Sequence, residues 1–481
     1  MKKIGIAGAG LGSLSAAAYL LNSGYEIHIF EKNSSPGGKI NELNLNGFRF
    51  DTGPSLVTMP EVLKDLFFSA GEDINELLEL IPIDPICRNF FSDGKTIDTS
   101  SDVSKMSREI ENISKNDAEN YTDFLEYTKK IYDNSADLFL YSPLHEVKQI
   151  IQEHGLKSIF NVLKLDVFNT MHQSVKKYFK HPSIVKLFDR YATYNGSDPF
   201  QAPATLNIIS YVEYVLGGYY IKGGIYRLVD KLTEILQSKG VKFHFNSEVD
   251  KILIENKSIE GLRINGEDHE FDLVISNSDV VNTYKELIDN FESQTRKVSE
   301  LEPSLSGMIF FWGVEGEYPK LEHHNVFFSD DYRNEFDDIF KRKIPPEDPT
   351  IYIAVTSKTD IEHAPGRAEN WFVLLNMPYT EKNIDWEKAA LEQKGKIIEK
   401  LKRHGINAEG KIKEEKIYTP VELRDMFYSN KGSIYGISSN TKMTAFKRHS
   451  NRSKKTKGLY FAGGSVHPGG GIPLVILSGK H

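Results

Sequence analysis

Six residues near the start of the chain, Gly8-Ala9-Gly10-Leu11-Gly12-Ser13, have the types and spacing to bind a pyrophosphate. Gly8 permits a tight turn, Gly10 lets the backbone approach phosphate oxygens, and a helix starting here offers free N–H groups and partial positive charge. Glu31, about twenty residues further on, can accept hydrogen bonds from ribose hydroxyls. The third glycine position holds Ser13, whose side chain is small enough for close helix–strand packing. Gly37-Gly38 followed by Lys39 provides a second close backbone approach, with a cation for the diphosphate. The far end of the chain repeats the pattern with Gly463-Gly464 and Gly469-Gly470-Gly471-Ile472, where free N–H groups could meet an electron-rich ring edge. His467 lies inside that turn and is a candidate general base, since an imidazole takes a proton near neutral pH. The alternative is a turn histidine bonded to backbone. Asp198 is a second acid–base candidate.

These residues need particular elements to position them. A β-branched run at 3–7, an Ala-rich stretch at 14–22 stopped by Gly24, and an alternating run at 25–30 predict strand, helix and strand. Gly53-Pro54 after an apolar strand suggests a loop carrying Ser55 and Leu56 near the nucleotide, or a simple hairpin exit. From about 100 to 180 the chain reads as helical. Leu156, Phe160, Leu163, Val167, Met171, Val175 and Tyr178 share one face of an amphipathic segment, accompanied by Lys157, Lys164, Lys176, Lys177 and Lys180. Such a face packs on a protein core or lies in the headgroup region of a bilayer.

After a loop-like break at 191–206, Gly223-Gly224 opens a helix at 225–237, and strands follow at 241–245, 249–254, 260–264 and 273–276. The last leads to Asn277 and Asp279 and is expected to rejoin the first sheet, with Val249 where a backbone edge could meet an adenine. Residues 285–430 alternate β-rich and helical stretches without a second Gly-rich turn, which argues against a second nucleotide. Residues 442–457 carry seven Lys/Arg and no acid, as a solvated loop or a segment drawn to anionic lipid.

Composition narrows the function classes. The net charge of −8 over 481 residues gives no reason to expect nucleic acid. Cys87 is the only cysteine, so there is no disulfide and no CxxC metal or redox motif. No metal site is expected. With 28 Phe and 23 Tyr, the chain can wall a large apolar cavity or fill an aromatic core. It starts directly in the nucleotide-binding strand, leaving no room for a signal peptide, and no apolar run approaches a membrane span. A cytoplasmic location is expected.

With both ends read, the sequence resembles the phytoene desaturase-type flavoproteins, the bacterial carotenoid desaturases of the amine-oxidase-like FAD superfamily. The resemblance rests on Gly8 to Ser13 with Glu31, on Gly37-Gly38-Lys39, on Phe50-Asp51-Thr52-Gly53-Pro54, and on the stretches 196–204, 223–224 and 458–479. The stretch 50–60 looks closest to the desaturases that introduce the 3,4 double bond into 1-hydroxylated acyclic carotenoids. The family usually continues its last helix beyond the position of His481.

The resemblance implies an α/β fold. A Rossmann-type FAD-binding domain would comprise 1–80, 220–285 and 440–481, and a β-rich substrate domain 81–100, 205–219 and 286–439. A helical, membrane-associating insert would occupy 101–204. FAD would lie extended, with its pyrophosphate at Gly8, Gly10, Gly12 and Ser13, its ribose at Glu31 and its adenine at Val249. Gly38, Lys39, Ser55 and Leu56 would follow the ribityl-diphosphate, and Gly464, Gly471 and Ile472 the flavin. The implied partners are an acyclic carotenoid taken from a lipid bilayer, and oxygen or a membrane quinone as electron acceptor. Phytoene or diapophytoene desaturation, carotenoid isomerisation, amine oxidation and a non-catalytic lipid carrier are the competing activities.

Overall fold

The computed structural model describes residues 1–143, 145–146, 166, 168–441 and 448–481. Five strands form a wholly parallel sheet in the order Leu459–Phe461, Leu273–Ser276, Lys3–Ala7, Glu26–Phe30 and Lys242–His244. The central strand pairs Gly5 with Val274 on one side and His28 on the other. The other strands come from residues 26–30, 242–244, 273–276 and 459–461, so the sheet is complete only when residue 461 is in place.

The Leu11–Leu20 helix leaves the central strand directly and is apolar on nearly every face, as a helix covered on all sides must be. The closing Ile472–Lys480 helix packs on it so tightly that a Cβ on Gly479 would lie 2.6 Å from the Ala16 nitrogen. The Ser15 hydroxyl donates to the Ile476 carbonyl at 2.7 Å. Leu14, Ala17, Leu228, Leu232 and Ile476 form part of one core, so the Tyr226–Ser238 helix shares it.

A second sheet has seven strands, in the order Ile412–Tyr418, Ser306–Glu315, Ala368–Met377, Ile351–Ala354, His324–Phe327, Cys87–Phe90 and Thr96–Thr99. All neighbours are antiparallel except the pair joining His324–Phe327 to Cys87–Phe90. The Ser306–Glu315 strand is buried on both faces. Met308, Phe310 and Trp312 pack under the Trp386–Arg403 helix, while Ile309 and Phe311 face Phe48 and Phe50.

The helical region contains Val103–Glu111, Tyr121–Phe139, Met171–Tyr178 and Pro182–Asp189 around an aromatic core. Phe179 and Phe188 stack there with ring centroids 4.6 Å apart. Met171 and Val175, the described end of the amphipathic stripe, are fully buried in that core, while Lys176, Lys177 and Lys180 face solvent. Leu156, Phe160, Leu163, Val167, Lys157 and Lys164 lie outside the described residues, as do 442–447 of the basic run. No described helix is long and apolar enough to cross a membrane.

Candidate active site

One continuous cavity of about 1390 Å³ runs from the first glycine turn to the inner face of the seven-stranded sheet. Twelve of the fifteen site residues expected from sequence line it: Gly8, Gly10, Gly12, Glu31, Gly38, Lys39, Ser55, Leu56, Val249, Gly464, Gly471 and Ile472. They come together because the parallel sheet sets the 8–12 turn, the end of the Glu26–Phe30 strand and the 463–472 turn side by side.

Steric need explains the glycines. Gly8 has a φ of +92° and Gly471 one of +100°, a region that favours glycine. A Cβ on Gly10 would meet the Asn277 side-chain oxygen at 2.4 Å, and one on Gly12 the Gly463 nitrogen at 2.8 Å. Within the helix Gly10 accepts from the Ser13 and Leu14 N–H groups, leaving those of Leu11 and Gly12 ahead of the first intrahelical bond and beside the cavity. Glu31 braces this turn. One carboxylate oxygen accepts from the Ala9 N–H at 2.8 Å, and the other from the Asn33 N–H at 3.0 Å and its side-chain amide at 2.7 Å.

The conformation at Gly8, the bare backbone at Gly10 and Gly12 and the helix start beside them fit a dinucleotide diphosphate. A family model described as flavin-containing amine oxidoreductase matches residues 13–481. The chain belongs to the flavin-containing amine oxidoreductases. Over its whole length it is 38% identical to a 1-hydroxycarotenoid 3,4-desaturase of Flavobacterium sp. (strain P99-3), of which 98% is covered. It is likewise 33% identical over its whole length to a 4,4'-diapolycopene oxygenase of Methylomonas sp, of which 97% is covered. Among solved structures, an oxidoreductase from Methanosarcina mazei shares the fold at 18% identity and a TM-score of 0.64, over 99% of each chain. As a member of this family the chain is an FAD-dependent oxidoreductase.

Other details of this flavoprotein differ from the sequence reading. Ser13 does not line the cavity; it lies beneath the turn and donates to the Gly8 carbonyl at 2.5 Å, so it shapes the cradle from behind. Lys39 is on the cavity, but its ammonium donates to the Ser433 and Ile434 carbonyls at 3.1 and 2.7 Å. Burial lowers it to about 8, with Asp279 opposing the shift. Ser55 shares a short hydrogen bond with the Tyr352 hydroxyl, which also meets His324 Nδ1 at 2.8 Å.

The structure does not bring the general-base candidate to the cavity. His467 is 2% exposed and lies outside the cavity lining, with Nε2 at 3.0 Å from the Ser142 carbonyl. Burial holds its ring down at about 3. That contact with backbone is the one the turn-histidine alternative expects. Asp198 is also buried off the cavity, accepting from the Phe200 N–H at 2.8 Å and the Gln201 amide at 2.6 Å.

Several lining residues escaped the sequence reading: Arg190, Tyr194, Tyr332, Tyr352 and Ile434. Arg190 stands in the run Phe188-Asp189-Arg190-Tyr191, which reads like any charged helix end. Among the described residues no group of His, Cys, Asp and Glu could hold a metal ion.

Proposed function

We propose that this oxidoreductase desaturates an acyclic carotenoid, introducing the 3,4 double bond of a 1-hydroxylated chain. The observation carrying this reading is the single void that joins the dinucleotide cradle to an apolar chamber walled by Ile309, Phe372, Leu374 and Val326. A long hydrocarbon can lie along these apolar walls, which an amine substrate would not need. The 38% identity to a 1-hydroxycarotenoid 3,4-desaturase supports the finer assignment. When bound, the flavin supplies the hydride acceptor. The residues of the chain do the rest: Gly8, Gly10 and Gly12 admit the diphosphate, Glu31 holds the turn rigid, and the aromatic and branched walls orient the chain.

A second reading, terminal oxygenation, is favoured by the 33% identity to a diapolycopene oxygenase. Bilayer uptake of substrate and electron transfer to oxygen or a quinone complete the proposal; residues 46–457 contain no second GxGxxG turn that would suit NAD. Incubating the FAD-loaded enzyme with liposomes containing phytoene, a 1-hydroxylated acyclic carotene or its plain form separates the readings by product mass. Desaturation removes two hydrogens, oxygenation adds oxygen, and isomerisation changes nothing. An unchanged mass, or turnover restored only by NAD, would sink the reading.

A further inference from the structure

The apolar chamber contains a polar pole. Arg190 opens the Arg190–Asn195 turn and is 5% exposed. Glu213 balances its charge at 3.4 Å and also accepts from the Tyr191 and Tyr194 hydroxyls at 2.7 and 2.6 Å. Arg190 Nη2 donates to the Tyr191 hydroxyl at 3.0 Å. The Arg190 Nε–H is buried with no partner. Tyr332, from the separate Tyr332–Phe336 helix, is 4% exposed, and its hydroxyl also has no partner. Both residues line the cavity, and burial raises the Tyr332 hydroxyl well above its ordinary value, with Glu335 and Asp189 adding to the rise and Arg190 opposing it.

Buried polar groups are nearly always paired, and each exception calls for an explanation. Four described side chains on this void carry such an atom, Thr52, Arg190, Tyr332 and Ser433; the Arg190 Nε–H and the Tyr332 hydroxyl, brought there by different elements, point to a ligand atom. Because Glu213 already neutralises Arg190, that atom is not a carboxylate. The Nε–H can only donate, whereas a tyrosine hydroxyl donates or accepts. A hydroxyl satisfies both, accepting from one and donating to the other. We propose that Arg190 and Tyr332 form the end-group site of this enzyme, holding the single hydroxyl of an otherwise hydrocarbon substrate and so setting which bond reaches the cradle. This rests on the carotenoid reading above.

The test compares a 1-hydroxylated acyclic carotene with the same chain lacking the hydroxyl, in liposomes, using the FAD-loaded full-length enzyme. The wild type should favour the hydroxylated chain by about tenfold or more in kcat/KM, since a site built around a hydroxyl disfavours a substrate without it. Arg190→Lys keeps the charge facing Glu213 but removes Nε. Tyr332→Phe removes only the unpaired hydroxyl. Each should cut the preference by about tenfold, chiefly through KM. Tyr332→Phe should retain flavin and melt no lower than wild type, because it removes a buried group with no partner. Flavin-loaded variants that keep the full preference would overturn the end-group site while leaving the carotenoid reading intact. So would equal use of both substrates by the wild type, or a markedly lower melting temperature for Tyr332→Phe. Turnover of neither substrate by the flavin-loaded wild type would remove both the reading and the site.

Discussion

The two ends of the cavity are built from different material. At the cradle, the lining is backbone: Gly8, Gly10, Gly12, Gly38, Gly464 and Gly471 present peptide groups with no side chain in front of them. In the chamber, the lining is side chains drawn from the seven-stranded sheet, the Arg190–Asn195 turn and the Tyr332–Phe336 helix. A backbone surface is set by what cannot be there, and it tolerates almost no substitution. A side-chain surface is set by what is there, and one residue can alter what it accepts. Relatives named as a desaturase and as an oxygenase both align over the whole of this chain.

The sharpest way to break the comparison is Gly12→Val. Its branched side chain would drive into the Gly463 nitrogen and the Asn277 amide, where Cβ alone already lies at 2.8 and 2.6 Å. Overpacking costs about 1–3 kcal/mol, and the purified protein should retain no flavin absorbance near about 450 nm, the usual flavin band. Full flavin content would show that the cradle is not set by sterics.

Glu31→Ala should have the next largest effect. It strands the Ala9 N–H and two donors of Asn33, costing about 2 kcal/mol of stability and more than about tenfold in FAD affinity. Thermal melting and titration of the apoprotein with FAD would measure both. An unchanged affinity would mean that the turn holds its shape without the carboxylate.

Lys39 predicts a pH effect on cofactor binding. In the folded apoprotein its ammonium is lowered from 10.5 to about 8. It is therefore charged below pH 8, where it attracts a diphosphate, and neutral above. FAD affinity should fall by up to roughly tenfold as pH rises through 8, with a proton taken up on binding at the higher pH. The same burial disfavours the charged amine in the apoprotein. This group's contribution to apoprotein stability is accordingly least favourable below pH 8 and improves between pH 8 and 10.5. Lys39→Met should flatten the affinity profile, and an equally steep profile in that variant would assign the titration to another group.

The smallest effect is expected at His467. Since its ring lies off the cavity and accepts no role in the lining, His467→Gln should change turnover by less than about threefold, where loss of a general base costs about a hundredfold or more. Stability should drop by about 1 kcal/mol with the hydrogen bond to the Ser142 carbonyl. A hundredfold loss of turnover at full flavin content would return this residue to the chemistry.

The same division decides what was legible in the sequence. Backbone-built surfaces advertise themselves, because only glycine serves at Gly8 or Gly12 and Glu31 follows at a fixed distance. The Leu273–Ser276 strand was legible too, since a short apolar run ending at Asn277 could rejoin a parallel sheet. The place of His467 was not legible, because a histidine beside glycines reads alike whether its ring meets a ligand or the Ser142 carbonyl, more than three hundred residues away. Arg190 and Tyr332 were invisible for a related reason. Their meaning lies in what fails to pair with them, and that becomes apparent only when a helix end and a strand connection are brought to one void.

The pairing of the Leu459–Phe461 strand with Leu273–Ser276, and of the Ile472–Lys480 helix with Leu11–Leu20, has a consequence for synthesis. The glycine turn at residues 8–12 is synthesised well before residues 459–480, the surfaces that complete it. A nascent chain can form the Lys3–Ala7 and Glu26–Phe30 strands early, but contacts of such long sequence separation form late. A cradle whose walls come from such separated stretches is complete only once the Leu459–Phe461 strand and the Ile472–Lys480 helix have folded against it.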